Sequence, residues 1–249
     1  MKFFVKDPIF FKILGELKSA SINPIFLKAY PEYLEIRQMN ISHTCLIHIK
    51  MNANLFEEYI ADVEEIISIP ADLFFNMLKT FAKGGDTLFE TGERSGGIVL
   101  TISAPTTRGA KKIHLKLYSS LEWEEVPQVK DEHLSVIKID SGNFFDSIKD
   151  ANDFSTEAVL ESTDSSFDIS AGGDLGEYIE VWRLGDNMVS LFQEECKSMF
   201  NMFDLILVTT IGKSISNGVQ ISMGESVPAK FFYSSPNVTG TFYIAPMIV

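Results

Sequence analysis

The sequence predicts an α+β fold made of two similar modules, each combining amphipathic helices with several short strands. Two observations point there. The first is near-repetition at a fixed offset: Phe10-Phe11-Lys12-Ile13 reads like Phe144-Phe145 with Ile148, and Tyr33-Leu34-Glu35-Ile36 reads like Ser166-Phe167-Asp168-Ile169. Phe11 and Phe144 are 133 positions apart and Tyr33 and Phe167 are 134 apart, so independent landmarks agree on one duplication. The second is a break in periodicity from Ser119 to Leu134, dense in charge, which divides the chain into residues 1–118, a connector 119–134 and residues 135–249.

The first module opens with Asp7-Pro8, a capping carboxylate followed by a proline suited to a first helical turn. Ile9, Phe10, Ile13, Leu14 and Leu17 then recur at helical spacing, which predicts a helix over 8–19 with Lys12 opposite the apolar stripe and Lys18 at its polar edge. Strand-like runs follow at 25–27, 33–38, 44–50 and 64–69. Ile69-Pro70-Ala71-Asp72 starts a second helix, with Leu73, Phe74, Met77, Leu78 and Phe81 expected to face inward and Gly84-Gly85-Asp86 ending it. On its other face Asn76, Lys79 and Lys83 fall at i, i+3, i+7 in one polar stripe. Further strands are expected at 87–90, 97–103 and 111–118.

The second module repeats this order. A strand near 135–140 leads into a helix over 141–154, then strands at 158–162, 166–171 and 177–184. Phe203, Leu205, Ile206, Leu207 and Val208 suit a buried helix or a buried strand, and only their place in the repeat favours helix. Strands at 218–223, 229–233 and 240–244 close the chain.

Composition narrows the function classes. With 21 basic and 34 acidic residues the net charge is −13, which argues against coating nucleic acid with the whole surface but allows a local basic strip. No apolar run approaches the roughly 20 residues that span a bilayer, so no membrane partner and an intracellular protein are expected. Cys45 and Cys196 sit in apolar surroundings and read as buried thiols, and His43, His48, His114 and His133 show no metal-ligand spacing, so no cofactor is expected.

Few groups suggest catalysis. Asp146, Asp150 and Asp153 line one face of the third helix and could serve a carboxylate-metal hydrolase, but on an amphipathic helix with only Lys149 between them a solvated face is the better reading. Gly172-Gly173-Asp174-Leu175-Gly176 lies between strands and reads as a hairpin turn, not a phosphate loop. The lysines of the first two helices, Lys12, Lys18, Lys79 and Lys83, are the more telling set. Packed side by side, those helices would carry one positive strip suited to sequence-independent phosphate contact.

With these features in place, the chain resembles the sliding-clamp family of proliferating cell nuclear antigen over essentially its whole length. The resemblance rests on the helix Phe10 to Leu17, on Ile36-Arg37-Gln38-Met39-Asn40-Ile41-Ser42-His43-Thr44-Cys45-Leu46, on Phe56-Glu57-Glu58-Tyr59 and on Ser170 to Gly176. Its most specific part is the ending, Ile221-Ser222-Met223-Gly224 with Val227-Pro228 and Phe242-Tyr243-Ile244-Ala245-Pro246. It implies two clamp domains, each with helices on one face of a curved antiparallel sheet, and three subunits closing head to tail into a ring. The implied function is a non-enzymatic processivity factor that encircles duplex DNA and tethers polymerase, a clamp loader and other clients bearing a peptide motif.

Carried over residue by residue, the resemblance implies DNA-facing Lys12, Lys18, Asn76, Lys79, Lys83, Lys149 and Lys213. It implies a partner-peptide groove of Met39, His43, Leu46, Val126, Pro127, Pro228, Tyr243, Ile244, Ala245 and Pro246, with Trp123 as a further wall. It implies a subunit interface of Lys111, Lys112, Ile113 and Lys116 against Glu177, Ile179, Glu180 and Val181, as a homotrimer or heterotrimer. Two departures stand out: the acidic third helix, where the family carries basic residues, and Met247, where a basic residue commonly follows Ala-Pro. They leave open an alternative, a divergent paralogue acting as one subunit of a mixed ring or as a partner-binding adapter with weak DNA contact. The expected location is with DNA inside the cell, in the nucleus of a eukaryote or the nucleoid of an archaeon.

Overall fold

The structure is a computed structural model that describes residues 1–81, 86–119, 129, 133–174, 176–183, 185, 188–192 and 194–248, with the backbone alone for 188–192. It divides into two compact units. Unit one comprises Met1–Ile41, His48–Val126 and Pro236–Thr239, and unit two comprises Ser42–Ile47, Pro127–Ser235 and Gly240–Val249.

The first half of the chain runs β1 (Lys2–Val5), α1 (Pro8–Glu16) with a 3-10 turn at Leu17–Ala20, β2 (Ile25–Ala29), β3 (Tyr33–Met39) and β4 (Cys45–Asn52). It continues through a short 3-10 turn to β5 (Glu58–Ile60), β6 (Glu65–Ile69), α2 (Ala71–Phe81), β7 (Thr87–Arg94), β8 (Gly97–Thr106) and β9 (Gly109–Lys116). The second half runs β10 (Ser135–Asp140), α3 (Ser141–Ala151), β11 (Glu157–Ser162), β12 (Ser166–Gly173), β13 (Gly176–Arg183), β14 (Met188–Phe192), β15 (Cys196–Asn201), α4 (Met202–Ile215), β16 (Gly218–Met223), β17 (Ala229–Ser234) and β18 (Val238–Ile244).

Element by element the second run repeats the first. Strands lie in the orders β5-β1-β7-β8-β9 and β4-β3-β2-β6 in the first half, and β14-β10-β16-β17-β18 and β13-β12-β11-β15 in the second. β1 and β10 therefore hold the same place, as do α1 and α3, and Lys2 and Ser135, like Pro8 and Ser141, are 133 positions apart.

Local chemistry sets the helix starts. The Asp7 carboxylate accepts the Ile9 amide at 2.9 Å, Asp140 accepts that of Asn143 at 2.8 Å and Asn201 that of Phe203 at 2.9 Å, each satisfying a donor that no helical carbonyl can reach. The expected 8–19 helix tightens into the 3-10 turn after Glu16 and stops at Ser21, which takes a left-handed conformation. The expected 141–154 helix ends at Ala151.

In α2 one expectation is corrected: Leu73 is 46% exposed, and Phe75 takes the inward place beside Phe74, Leu78 and Phe81. Residues 71, 74, 75, 78 and 81 share one helical face, and Leu73 lies off it. The ambiguous stretch 203–213 is helical in α4. Met202, Leu205, Leu207, Val208, Ile211 and Ile215 are all buried there, so the apolar surface wraps too far round the helix for a clear stripe.

Aromatic side chains fill both cores. In unit one Phe3 stacks on Phe89 at 4.9 Å between ring centres, and Phe10 meets both edge-on at 5.4–5.7 Å. In unit two Phe144 lies 6.1 Å from Phe231 and 6.4 Å from Phe167. Each fully buried phenylalanine contributes roughly 1.5–3 kcal/mol.

Candidate nucleic-acid face, subunit edges and partner groove

In unit one α1 and α2 pack against each other. Their apolar faces are spent on the core, which leaves Lys12, Lys18, Asn76 and Lys79 exposed on the outside of the pair, as their spacing requires. Lys83 lies outside the described residues.

In unit two α3 packs on α4. Lys149 is exposed, while Lys213 is half-buried with its Nζ 3.0 Å from the centre of the Phe145 ring. The carboxylates of α3 do not form one undivided face. Asp146 and Asp150, one turn apart, join Asn143 and Ser147 in lining a cleft of about 310 Å³ against Tyr178, Glu180, Val181, Trp182 and Arg183 of β13. Tyr178 donates its hydroxyl to the Glu180 carboxylate at 2.6 Å, and burial followed by this bond holds the phenol well above its ordinary pKa. The Trp182 indole nitrogen is buried with no acceptor among the described residues. Nothing in the three-aspartate pattern pointed to β13, but the strand's own alternation did: Tyr178, Glu180 and Trp182 share the inward face.

β9 ends one strand order and β13 another, so among the described residues each offers one unpaired backbone edge. On β9 Lys111, Lys112 and Lys116 are exposed, Ile113 is half-buried and Leu115 is buried. On β13 Glu177 is exposed, Glu180 half-buried, and Ile179 and Val181 are 60% and 43% exposed. A long edge strand bearing apolar side chains is a template for pairing with another chain. Here the two edges are opposite in charge.

Part of the expected groove lies in unit two. The Ala245 amide donates to the Thr44 carbonyl at 2.8 Å, which holds the terminal segment beside residues 43–46. His43 is exposed with a positive φ of 54°. Pro228, Tyr243, Ala245 and Pro246 are half-buried, and Lys230 approaches the Tyr243 ring at 5.8 Å. Leu46 and Ile244 are buried in the core and offer little surface. Below them the Thr44 hydroxyl donates to the buried Asp204 carboxylate at 2.6 Å, a link the sequence did not signal because 160 positions separate the two. Met39 belongs to unit one and is half-buried. Trp123, Val126 and Pro127 lie outside the described residues.

Among the described residues no group of three or more His, Cys, Asp and Glu side chains is arranged to hold a metal ion, Asp146, Asp150 and Asp153 included. No described helix is long and apolar enough to cross a membrane. Burial pushes the Cys196 thiol up to about 11 and the Cys45 thiol well above its ordinary value, so neither is poised as a nucleophile.

No family model matches the chain. Relatives do, over nearly full length: it is 26% identical over 246 residues to the DNA polymerase sliding clamp of Methanobrevibacter smithii, covering 98% of this chain and 96% of that one. It is 25% identical over 250 residues to DNA polymerase sliding clamp 3 of Sulfurisphaera tokodaii, covering 99% of each. With the sliding clamp of Thermofilum pendens identity is 29% over 178 residues, 71% of this chain and 69% of the relative. In fold it is similar to the crystal structure of proliferating cellular nuclear antigen from Entamoeba histolytica, with a TM-score of 0.85 at 15% identity, covering 99% of this chain and 98% of that chain. Along nearly its entire length the chain is thus similar in sequence to DNA polymerase sliding clamps, and in fold to a proliferating cellular nuclear antigen.

Proposed function

We propose that the chain is a DNA sliding clamp: copies join edge to edge into a ring around duplex DNA, which tethers a polymerase, a clamp loader and other DNA-processing enzymes. The observation that carries this is the pair of oppositely charged edge strands, β9 and β13, each with one open edge among the described residues. A head-to-tail contact of this kind generates a closed ring when the rotation per subunit closes, and three copies are the expected number. The acidic cleft between α3 and β13 then has a use. It lies beside the β13 edge, where it would meet the lysines of a neighbour's β9, so the carboxylates of α3 serve assembly and need not oppose DNA.

The exposed lysines of α1 and α2, together with Lys149 and Lys213, supply loose phosphate contact without base readout, as sliding requires. His43, Pro228, Tyr243, Ala245 and Pro246 offer a half-exposed apolar and aromatic surface suited to a client peptide. The clamp catalyses nothing; it acts on DNA inside the cell by topological linkage and by raising the local concentration of its clients.

The test is the absolute mass of the purified protein by light scattering over a concentration series, followed by retention on DNA circles. A trimer mass, with protein retained on closed circles and released when they are linearised, is the expected result. A monomer at every concentration with no retention on circles overturns the reading.

A further inference from the structure

We propose that Leu73 and Phe203 are apolar contact points for duplex DNA, one on the second helix of each module, resting on the sugars between the phosphates that the lysines meet. This rests on the reading that the helix pairs meet duplex DNA. Leu73 stands in the first turn of α2 and is 46% exposed; Phe203 stands in the first turn of α4 and is 51% exposed.

Burial puts the two in register. In α2 Phe74, Phe75, Leu78 and Phe81 are buried, and in α4 the residues 130 positions on, Asp204, Leu205, Val208 and Ile211, are buried in turn. Leu73 thereby matches Phe203, Asn76 matches Ile206 and Thr80 matches Thr210, and all six are exposed or half-buried. They fall at i, i+3 and i+7, so each helix carries the same outward stripe headed by a large apolar side chain. α4 is buried further round than α2, at Leu207, Thr209 and Gly212 as well, yet it still turns a phenylalanine outward. A lone exposed apolar residue is ordinary. The same one at the matching place in both modules is a pattern.

The duplication narrows the occupant. In the proposed ring a neighbouring copy meets β9 of the first half and β13 of the second, and the client surface around His43 and Tyr243 lies in unit two alone. Neither partner would touch both stripes alike. Duplex DNA is the partner that both helix pairs would face, and the exposed cations agree: Lys12, Lys18 and Lys79 on α1 and α2, and Lys149 on α3. Asp72, next to Leu73, is accounted for by the positive end of α2.

Duplex DNA offers an apolar side chain the same surface at every step, the deoxyribose between successive phosphates. Contact with it is non-directional and fixes no register. Unlike a lysine–phosphate contact, it releases no counterion. A clamp with both kinds of contact keeps its hold at salt concentrations that weaken the lysines, without a base contact that would stop it sliding.

The experiment uses the full-length protein and a short linear fluorescent duplex, with affinity read by anisotropy across a salt series. Leu73→Ser, Phe203→Ser and their combination remove the apolar contact, whereas Leu73→Met and Phe203→Leu keep it. A Lys12→Ala, Lys79→Ala variant is the charge reference. Light scattering first compares the assembly of each variant with that of the parent.

The combined serine variant should bind about three- to tenfold more weakly, by the same factor at every salt concentration, and Leu73→Met and Phe203→Leu should retain parental affinity. The lysine variant should instead give a shallower fall of log affinity with log salt. Parental affinity in the combined serine variant while the lysine variant is weakened overturns the apolar contact alone, as does a serine loss that fades at high salt. A changed assembly mass in the serine variants also overturns it, by showing these side chains packed between copies. Parental affinity in both the serine and the lysine variants overturns the reading that the helix pairs face DNA as well.

Discussion

Gly212 of α4 lies so close to the ring of Tyr233 on β17 that a methyl group at position 212 would overlap the ring carbons. The helix rests on the aromatic face through bare backbone. A glycine inside a helix ordinarily costs about 1 kcal/mol relative to alanine, so in isolation Gly212→Ala would stabilise. Here the ring is fully buried and cannot swing aside. Overpacking of a dense core costs about 1–3 kcal/mol, and it outweighs the helical gain. Gly212→Ala is expected to lower the urea midpoint of unit two; a raised midpoint would show that the ring yields.

Tyr233 itself offers a test of opposite sign. Its phenol oxygen is buried and has no hydrogen-bond partner among the described residues, and burial alone holds the phenol far above its ordinary pKa. Removing the oxygen removes an unmet desolvation cost without opening a cavity of consequence. Tyr233→Phe should be neutral or stabilising by up to about 1–2 kcal/mol in denaturant unfolding. A loss above about 1 kcal/mol would mean that the hydroxyl holds a buried water.

Acid sensitivity of unit one should trace to Glu35. Burial pushes its carboxyl up, but the 2.7 Å hydrogen bond from His48, with the charges of His48, Lys50 and Arg37, more than offsets this, and the net pKa falls below the ordinary 4.5. A carboxylate depressed on folding contributes stability that is fully present above its unfolded pKa and is lost as pH falls through the folded value. Glu35→Gln should cost about 1–2 kcal/mol at neutral pH and flatten the acid limb of a stability-versus-pH profile below pH 4.5. An acid limb of unchanged slope in the variant would assign it to other carboxylates.

The edge strands make a prediction about assembly. Reversing Lys111, Lys112 and Lys116 to glutamate should raise the subunit dissociation constant at least about tenfold, because like charges would then face Glu177 and Glu180. Adding Glu177→Lys and Glu180→Lys should restore much of the loss, and salt should weaken the parent while strengthening the singly reversed form, whose like charges it screens. Sedimentation velocity would read both. Assembly unaffected by the first reversal would remove β9 from the interface.

Much of the architecture was written in local chemistry. Asp7-Pro8 announces α1, the alternation of Val, Ile and Phe announces most strands, and the Phe11/Phe144 spacing announces the duplication, because each depends on neighbours a few residues away or on a copied pattern. The exposed lysines of α1 and α2 were legible for the same reason: a residue opposite an apolar stripe has only solvent to face. Four strands were not anticipated. β1 is a four-residue strand with three apolar side chains, whose role as a central strand comes from β5 and β7 on either side, and β5, β14 and β15 are likewise short and lean on partners far along the chain. Leu73 and Phe75 exchanged places because both are apolar and α1 decides which side of α2 is covered.

The sequence by itself determined the duplication, the helix caps, the composition of the two edges and the family resemblance, all of which rest on short-range rules or on order along the chain. Only the tertiary structure decided which side of α3 its carboxylates occupy, that Lys213 sits on the ring of Phe145, that Thr44 binds the buried Asp204 and that β9 and β13 each keep one open edge among the described residues. Those relationships join residues tens to more than a hundred positions apart. Side-chain pairing at that separation is set by which surfaces the packed sheets and helices bring together, and no periodicity in the sequence encodes it.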